Sequence, residues 1–181
     1  MIKPWPLRDR TKVGDFRIFS VHAESKTSPR TGVEHDFYVI DTRNWVNVIA
    51  TTPEGQLILV EQYRHGSNTV ELEVPGGVMD AEEESPLLTA VRELREETGY
   101  AGDAPRLLGE IYPNPAIMSN RCYTVLIENC RLQHDTEFDP GEDLITQLVP
   151  INETGRLVAE GRIRHAIVVV ALYYFELWRR S

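Results

Sequence analysis

Apolar and polar residues alternate with a two-residue period over much of the first half of the chain. In residues 15–25, DFRIFSVHAES, the apolar positions Phe16, Ile18, Val21 and Ala23 alternate with a slip at Phe19, which predicts a strand with a bulge. KTSPRTG reads as a turn and HDFYVID as a second strand. Residues 1–12 are rich in proline and charge and are expected to run extended. Residues 45–64, WVNVIATTPEGQLILVEQYR, read as a hairpin of two β-rich runs around PEG. TVELEV alternates strictly, with Glu71 and Glu73 on one face, and PGG breaks it with a turn. RLLGEIY, NRCYTVLIEN and DLITQLVP supply three more strands.

The period changes to that of a helix in three places. In the middle of the chain Leu87, Ala90, Val91 and Leu94 form an apolar stripe. Ser85 suits the N-cap, Pro86 the first helical position and Gly99 the left-handed C′ position, so this helix is delimited by its own residues. Two helices close the chain. One spans about residues 152–160, with Asn152 as N-cap and Gly161 as stop, and the other about residues 164–180.

Bulk properties narrow the class. A chain of 181 residues with 41% hydrophobic and 26% charged residues suits one globular domain, or one with a small appendage. A net charge of −9 argues against nucleic-acid and anionic-membrane partners, which select basic patches. It leaves room for a phosphate substrate, because a bound metal reverses local charge. The longest apolar run, AIVVVALYYF, is about half of the ~20 residues a membrane span requires. Cys122 and Cys130 lack zinc or disulfide spacing and are expected to be reduced thiols of a cytoplasmic protein. The first ten residues have no apolar stretch of the kind a signal peptide carries.

The central helix concentrates carboxylates. Glu93, Glu96 and Glu97 stand at i, i+3 and i+4, on one face, with Cβ atoms ~5–6 Å apart. Arg92 reaches Glu96 at i+4, which leaves Glu93 and Glu97 without an evident helical partner. Two such carboxylates suit a hard dication such as Mg²⁺ or Mn²⁺, while a solvated, ion-paired helix face is the alternative. A strand and a Gly-Gly loop precede the helix and let backbone approach a ligand closely. The Gly76 carbonyl could add a further metal oxygen.

The stretch PGGVMDAEEESPLLTAVRELREETGY resembles the Nudix box. Glu84, seven residues, then Arg92, Glu93, Leu94, Glu96, Glu97, Gly99 and Tyr100 match the second half of that signature at every position. From Gly77 to Glu84 there are six residues where the signature has five, and the intact register counted back from Arg92 selects Glu84 over Glu82 and Glu83. Residues 46–77, with their QYR strand end and LE-any-P-Gly-Gly entry, are similar to the ADP-ribose and nucleoside diphosphate sugar pyrophosphatase branch. YPNPAIMSNR and the late GEDL also resemble it.

The resemblance implies a Nudix α/β/α sandwich with a mixed sheet over residues 44–181, preceded by a small antiparallel sheet over residues 1–43 that pairs in a homodimer. Isolated strands need a partner surface, which fits that layout. It implies two or three Mg²⁺ or Mn²⁺ ions held by Glu93, Glu97, Glu84 and Gly76, with Glu96 and Arg92 in the catalytic machinery and Glu142 as general base. Asp143 is the second choice for the base. Arg64 would bind phosphate, and Glu73 would contact sugar or support the metals. The implied reaction is hydrolysis of ADP-ribose or a nucleoside diphosphate sugar to a nucleoside monophosphate and a sugar phosphate. GDP-mannose preference, or a sensor that binds without cutting, are the alternatives; the sensor reading is weakened by the presence of every box glutamate on the helix.

Overall fold

The computed structural model describes residues 1–80 and 85–181, and these divide into two compact units. The first comprises Met1–Arg43 and Tyr112–Arg121. Its three strands, β1 (Leu7–Asp15), β2 (Phe19–Thr27) and β3 (Glu34–Thr42), form an antiparallel sheet in the order β1-β2-β3. The single bulged strand expected over residues 15–25 is instead the end of β1, a turn over residues 16–18 with Arg17 at a φ of 68°, and most of β2, which begins at Phe19. Much of the N-terminal stretch expected to be merely extended is β1. The segment Tyr112–Arg121 runs beside β3, where the Ile40 N–H donates to the Ile117 carbonyl (2.7 Å) and the Ser119 N–H to the Ile40 carbonyl (3.1 Å).

The second unit comprises Asn44–Ile111 and Cys122–Ser181. Its strands are β4 (Trp45–Ala50), β5 (Gln56–Arg64), β6 (Thr69–Glu73), β7 (Gly76–Val78), β8 (Tyr100–Ala101), β9 (Arg106–Ile111), β10 (Cys122–Ile127), β11 (Arg131–Leu132) and β12 (Leu144–Pro150). Its helices are α1 (Pro86–Thr98), α2 (Thr154–Ala159) and α3 (Ala166–Arg179). A four-stranded sheet has the order β7-β4-β10-β9, mixed because β4 and β10 are parallel. A three-stranded sheet has the order β12-β5-β6, and β8 pairs with β11.

The expected hairpin of β4 and β5 is therefore reduced to a tight turn and one antiparallel bridge, Thr51 to Leu57. The Thr52 N–H donates to the Gln56 carbonyl (2.9 Å) and the Gly55 N–H to the Thr52 carbonyl (3.0 Å), after which the strands part. Each is central in its own sheet with both edges taken, β4 by β7 and β10, β5 by β6 and β12, so neither has an edge left for the other.

Strand parity sorts the core into two layers. Val46, Val48 and Ala50 of β4, Ile58 of β5, and Val125 and Ile127 of β10 pack with Ala90 and Leu94 of α1. The alternate residues Ile49, Leu57, Leu59 and Leu126 pack with Val168, Ala171 and Phe175 of α3. Strands buried on both faces account for their nearly continuous apolar runs. The result in the second unit is the α/β/α arrangement with a mixed sheet; the antiparallel sheet belongs to the first unit.

The helix α1 has the ends the sequence gives it. The Ser85 side chain accepts from the Leu87 N–H (3.3 Å), and Gly99 is left-handed at a φ of 73°. Its buried face differs from the expected stripe. Val91 is exposed, and the buried positions include Thr89, Glu93 and Glu97 beside Ala90 and Leu94. The inward arc of the helix thus carries two acids.

Candidate active site

The glycine turn fixes where those acids meet the sheet. β7 lies antiparallel to β4, with Gly76 opposite Asn47 and Gly77 opposite Val46. A Cβ on Gly76 would stand 2.1 Å from the Val46 carbonyl oxygen, and one on Gly77 would stand 2.3 Å from Glu93 Oε1. Glycine at 76 lets β7 lie this close to the β4 backbone, and glycine at 77 leaves the Glu93 carboxylate where it is. PGG thus contributes a short strand where the sequence suggested a turn alone.

Glu93 and Glu97 are one helical turn apart, 8% and 3% exposed. The Gly76 N–H donates to Glu97 Oε2 at 3.0 Å. Glu93 has a charged partner that spacing alone did not reveal: Arg92 Nη2 lies 3.0 Å from Glu93 Oε1, while Arg92 Nη1 donates to Glu96 Oε2 at 2.9 Å. One guanidinium therefore braces both glutamates.

That shared cation, with Arg64 farther off, does not offset the burial of Glu93 and Glu97. Burial raises Glu93 to about 7, against the pull of Arg92 and with further upward pressure from the charges of Glu142 and Glu96. Burial raises Glu97 to about 8, opposed by the Gly76 N–H and reinforced by Glu93 and Glu142. The carboxylates are close, desolvated and short of positive charge, and their donors are oxygens alone. This set fits a hard dication. Among the described residues, no three His, Cys, Asp or Glu side chains converge enough to hold a metal by themselves, so further ligands would come from outside this group. Glu84 lies outside the described residues.

Glu142 stands on the turn before β12. Its charge is felt by Glu93, Glu97 and Arg64, and its Oε2 accepts from the Asp139 N–H at 3.1 Å. Arg64, at the end of β5, does not offer its fork to the open. Nε donates to Glu73 Oε1 and Nη2 to Glu73 Oε2, both at 2.9 Å, so the bidentate pairing open to the arginine expected to bind phosphate is made with a carboxylate of the chain. Nη1 takes no part in that pair. Burial works against the Arg64 charge, but Glu73, with Glu97 and Glu142 behind it, raises the pKa above the usual arginine value.

Glu73, 2% exposed, is not an outward strand glutamate. Burial would raise its pKa, yet the His165 and Arg64 contacts more than reverse this and bring it to about 2. His165 Nδ1 lies 2.8 Å from Glu73 Oε2. Two residues earlier on β6, Glu71 accepts from Arg164 Nε (3.0 Å) and Nη2 (2.8 Å), which holds it below the usual carboxylate range. Arg164 and His165 were not singled out from the sequence. Their partners lie more than 90 residues earlier in the chain, so no local spacing signals the contact.

The family model for the NUDIX domain matches residues 41–171. The chain is 31% identical to an ADP-ribose pyrophosphatase of Bacillus subtilis (strain 168) over 168 residues, covering 92% of this chain and 86% of the relative. It is 28% identical to an ADP-ribose pyrophosphatase of Mycobacterium tuberculosis (strain ATCC 25618 / H37Rv), covering 86% and 75%. It is 27% identical to a GDP-mannose pyrophosphatase of Yersinia pestis (strain Pestoides F), covering 90% and 85%. A crystal structure of an ADP compounds hydrolase superposes with a TM-score of 0.86 at 22% identity, covering 99% of this chain and 96% of that one, and shares its fold. Hydrolases of the matched family generally need a divalent metal ion, which is the charge the α1 carboxylates lack. Since the match spans most of the chain and the Bacillus relative aligns along nearly all of it, the chain belongs to the Nudix family and is a Nudix hydrolase.

Proposed function

We propose that this enzyme hydrolyses the diphosphate of ADP-ribose or a related nucleoside diphosphate sugar, giving a nucleoside monophosphate and a sugar phosphate. The observation that carries this reading is the buried Glu93–Glu97 pair, left short of positive charge and within electrostatic reach of Glu142, with Arg64 acting on Glu97. Two relatives named ADP-ribose pyrophosphatase support the substrate class.

Glu93 and Glu97, with the Gly76 carbonyl and Glu84 as further ligands, would hold two or three Mg²⁺ or Mn²⁺ ions. When bound, such ions neutralise phosphate charge and lower the pKa of an attacking water. The chain supplies the rest. Arg92 holds Glu93 and Glu96 together and so fixes the face of α1. The Gly76 N–H orients Glu97. Arg64 meets a phosphate oxygen through the edge not paired with Glu73, and Glu142 takes the proton of the water as it adds to phosphorus. The P–O–P bridge then breaks, and its oxygen leaves with the second phosphate.

The enzyme acts as a homodimer in the cytoplasm on this reading. The sheet of the first unit leaves Leu7, Val13, Phe37 and Tyr38 exposed, with Phe37 and Tyr38 on opposite faces, apolar side chains that a second copy would cover. No helix among the described residues is long and apolar enough to cross a membrane. Chromatography of products after incubation with ADP-ribose and Mg²⁺ should show AMP and ribose 5-phosphate. If neither Mg²⁺ nor Mn²⁺ yields a nucleoside monophosphate from any of a panel of diphosphates, the proposal fails. The Yersinia relative favours GDP-mannose as the second reading, and the ratio of kcat/KM for the two substrates separates them.

A further inference from the structure

Two consecutive residues before α3, Arg164 and His165, grip the two carboxylates that β6 directs to one face. Arg164 takes Glu71 and His165 takes Glu73. The two grips differ in what lies behind them. Glu71 leads to Thr69. Glu73 leads to Arg64, whose charge is felt by Glu97 and Glu142.

A bidentate Arg64–Glu73 pair fixes the two groups relative to each other. It does not by itself fix the pair within the protein, because the planar unit can still swing as one body. A third contact from another element removes that freedom. His165 supplies it at Glu73 Oε2, the oxygen that also accepts from Arg64 Nη2. The ring stands on firm backbone: His165 is the N-cap residue of α3, and its carbonyl accepts from the Val168 and Val169 N–H groups at 3.0 Å each. Its side chain makes no capping bond to its own helix and is spent on the sheet.

We propose that His165 is a positioning residue for hydrolysis, which holds the Glu73 carboxylate so that Arg64 meets the substrate phosphate in register with the carboxylates of α1. This rests on the reading above that Arg64 touches a phosphate. His165 itself does not touch substrate.

The test is a set of variants assayed under saturating Mg²⁺ with ADP-ribose, with Tm measured alongside. H165L removes the ring donor, and H165N returns an N–H donor near the position of Nδ1. R164L removes the neighbouring grip and serves as a control for simple fastening of α3. A loss of about tenfold in kcat/KM is expected for H165L, the scale of a modest misplacement of a group at the reacting centre. H165N should recover most of it, and R164L should stay within about twofold of the unmodified enzyme. The double variant R64Q/H165L should be no worse than R64Q, because both act through one guanidinium.

Activity in H165L equal to the unmodified enzyme would overturn the proposal. So would equal losses in H165L and H165N, or losses in H165L matched by R164L together with a fall in Tm. R64Q impaired, with H165L adding its full effect on top, sinks the positioning role alone. R64Q as active as the unmodified enzyme sinks the phosphate role of Arg64 and the route assigned to His165 with it.

Discussion

Two pairs of buried glutamates in the same unit are shifted in opposite directions. Glu71 and Glu73 are two apart on a strand, and Glu93 and Glu97 are four apart on a helix. All four are nearly inaccessible. On β6 the chain supplies Arg164 to one acid, and Arg64 with His165 to the other, and both pKa values fall, Glu73 to about 2. On α1 Arg92 is shared between Glu93 and Glu96, Glu97 has a backbone N–H and only the more distant charge of Arg64, and both buried acids rise, to about 7 and about 8. Burial is the largest influence on Glu73, Glu93 and Glu97 alike, so it does not explain why Glu73 parts from the other two. The supply of positive charge does. A carboxylate pair that its own chain leaves undercompensated is where an external dication binds best.

The largest way to break this contrast is at Glu97. E97Q should lower kcat about 10³-fold, the scale of losing a group that stabilises transition-state charge. The same change should leave the metal-free protein as stable or more so, because the neutral amide has no charge to desolvate. An E97Q enzyme with full activity under saturating Mg²⁺ would remove α1 from the chemistry.

Next comes the glycine that brings strand and helix together. G76A puts a methyl group against the Val46 carbonyl, a backbone atom that cannot swing aside, and moves the N–H that Glu97 accepts. We expect a loss of about 3 kcal/mol in urea unfolding. A G76A protein within 0.5 kcal/mol of the parent, on the ~0.5 kcal/mol scale of ordinary surface changes, would show that the close approach does not matter.

E73Q should destabilise by about 1–2 kcal/mol, moderated by the partial exposure of Arg64. The sign is opposite to that expected for E97Q, and that opposition is the sharpest reading of the comparison. Two glutamines with the same effect on stability would mean that compensation by cations is not what separates the pairs.

The smallest effect is the change that Mg²⁺ makes to the pH dependence. Glu93 and Glu97 have raised pKa values in the folded state, so their contribution is present below the unfolded value of about 4.3 and is lost as pH climbs through 7 and 8. Glu73 is lowered, so its contribution is present above that value and is lost as pH falls toward 2. The metal-free protein should therefore lose Tm between pH 5 and pH 8.5, and Mg²⁺ should restore about 2–4 °C at the upper end and less at the lower. A Mg²⁺ shift that is equal at both pH values would place the ion elsewhere.

The contrast also marks how far local pattern reaches. The limits of α1 were legible, because Ser85, Pro86 and Gly99 act on backbone within one turn of themselves. So were the carboxylates at i and i+4, since helical spacing fixes a shared face. The pairing of Arg92 with Glu93 was not, because adjacent helical residues do not face each other and only the bend of a long side chain brings them together. The hairpin expected at residues 45–64 was lost to competition for edges, which depends on strands up to about a hundred residues away. The occupation of the Arg64 fork by Glu73, and the part of His165 in it, were likewise hidden by distance along the chain.

Sequence alone determined the family signature, the helix that bears it and the side chains of that helix that share a face, because each follows from spacing along one regular element. Tertiary structure decided which acids are compensated. That choice depends on where Arg64, Arg164 and His165 arrive after the sheets have packed, and on how little water remains around Glu93 and Glu97, and neither quantity exists until the chain has folded.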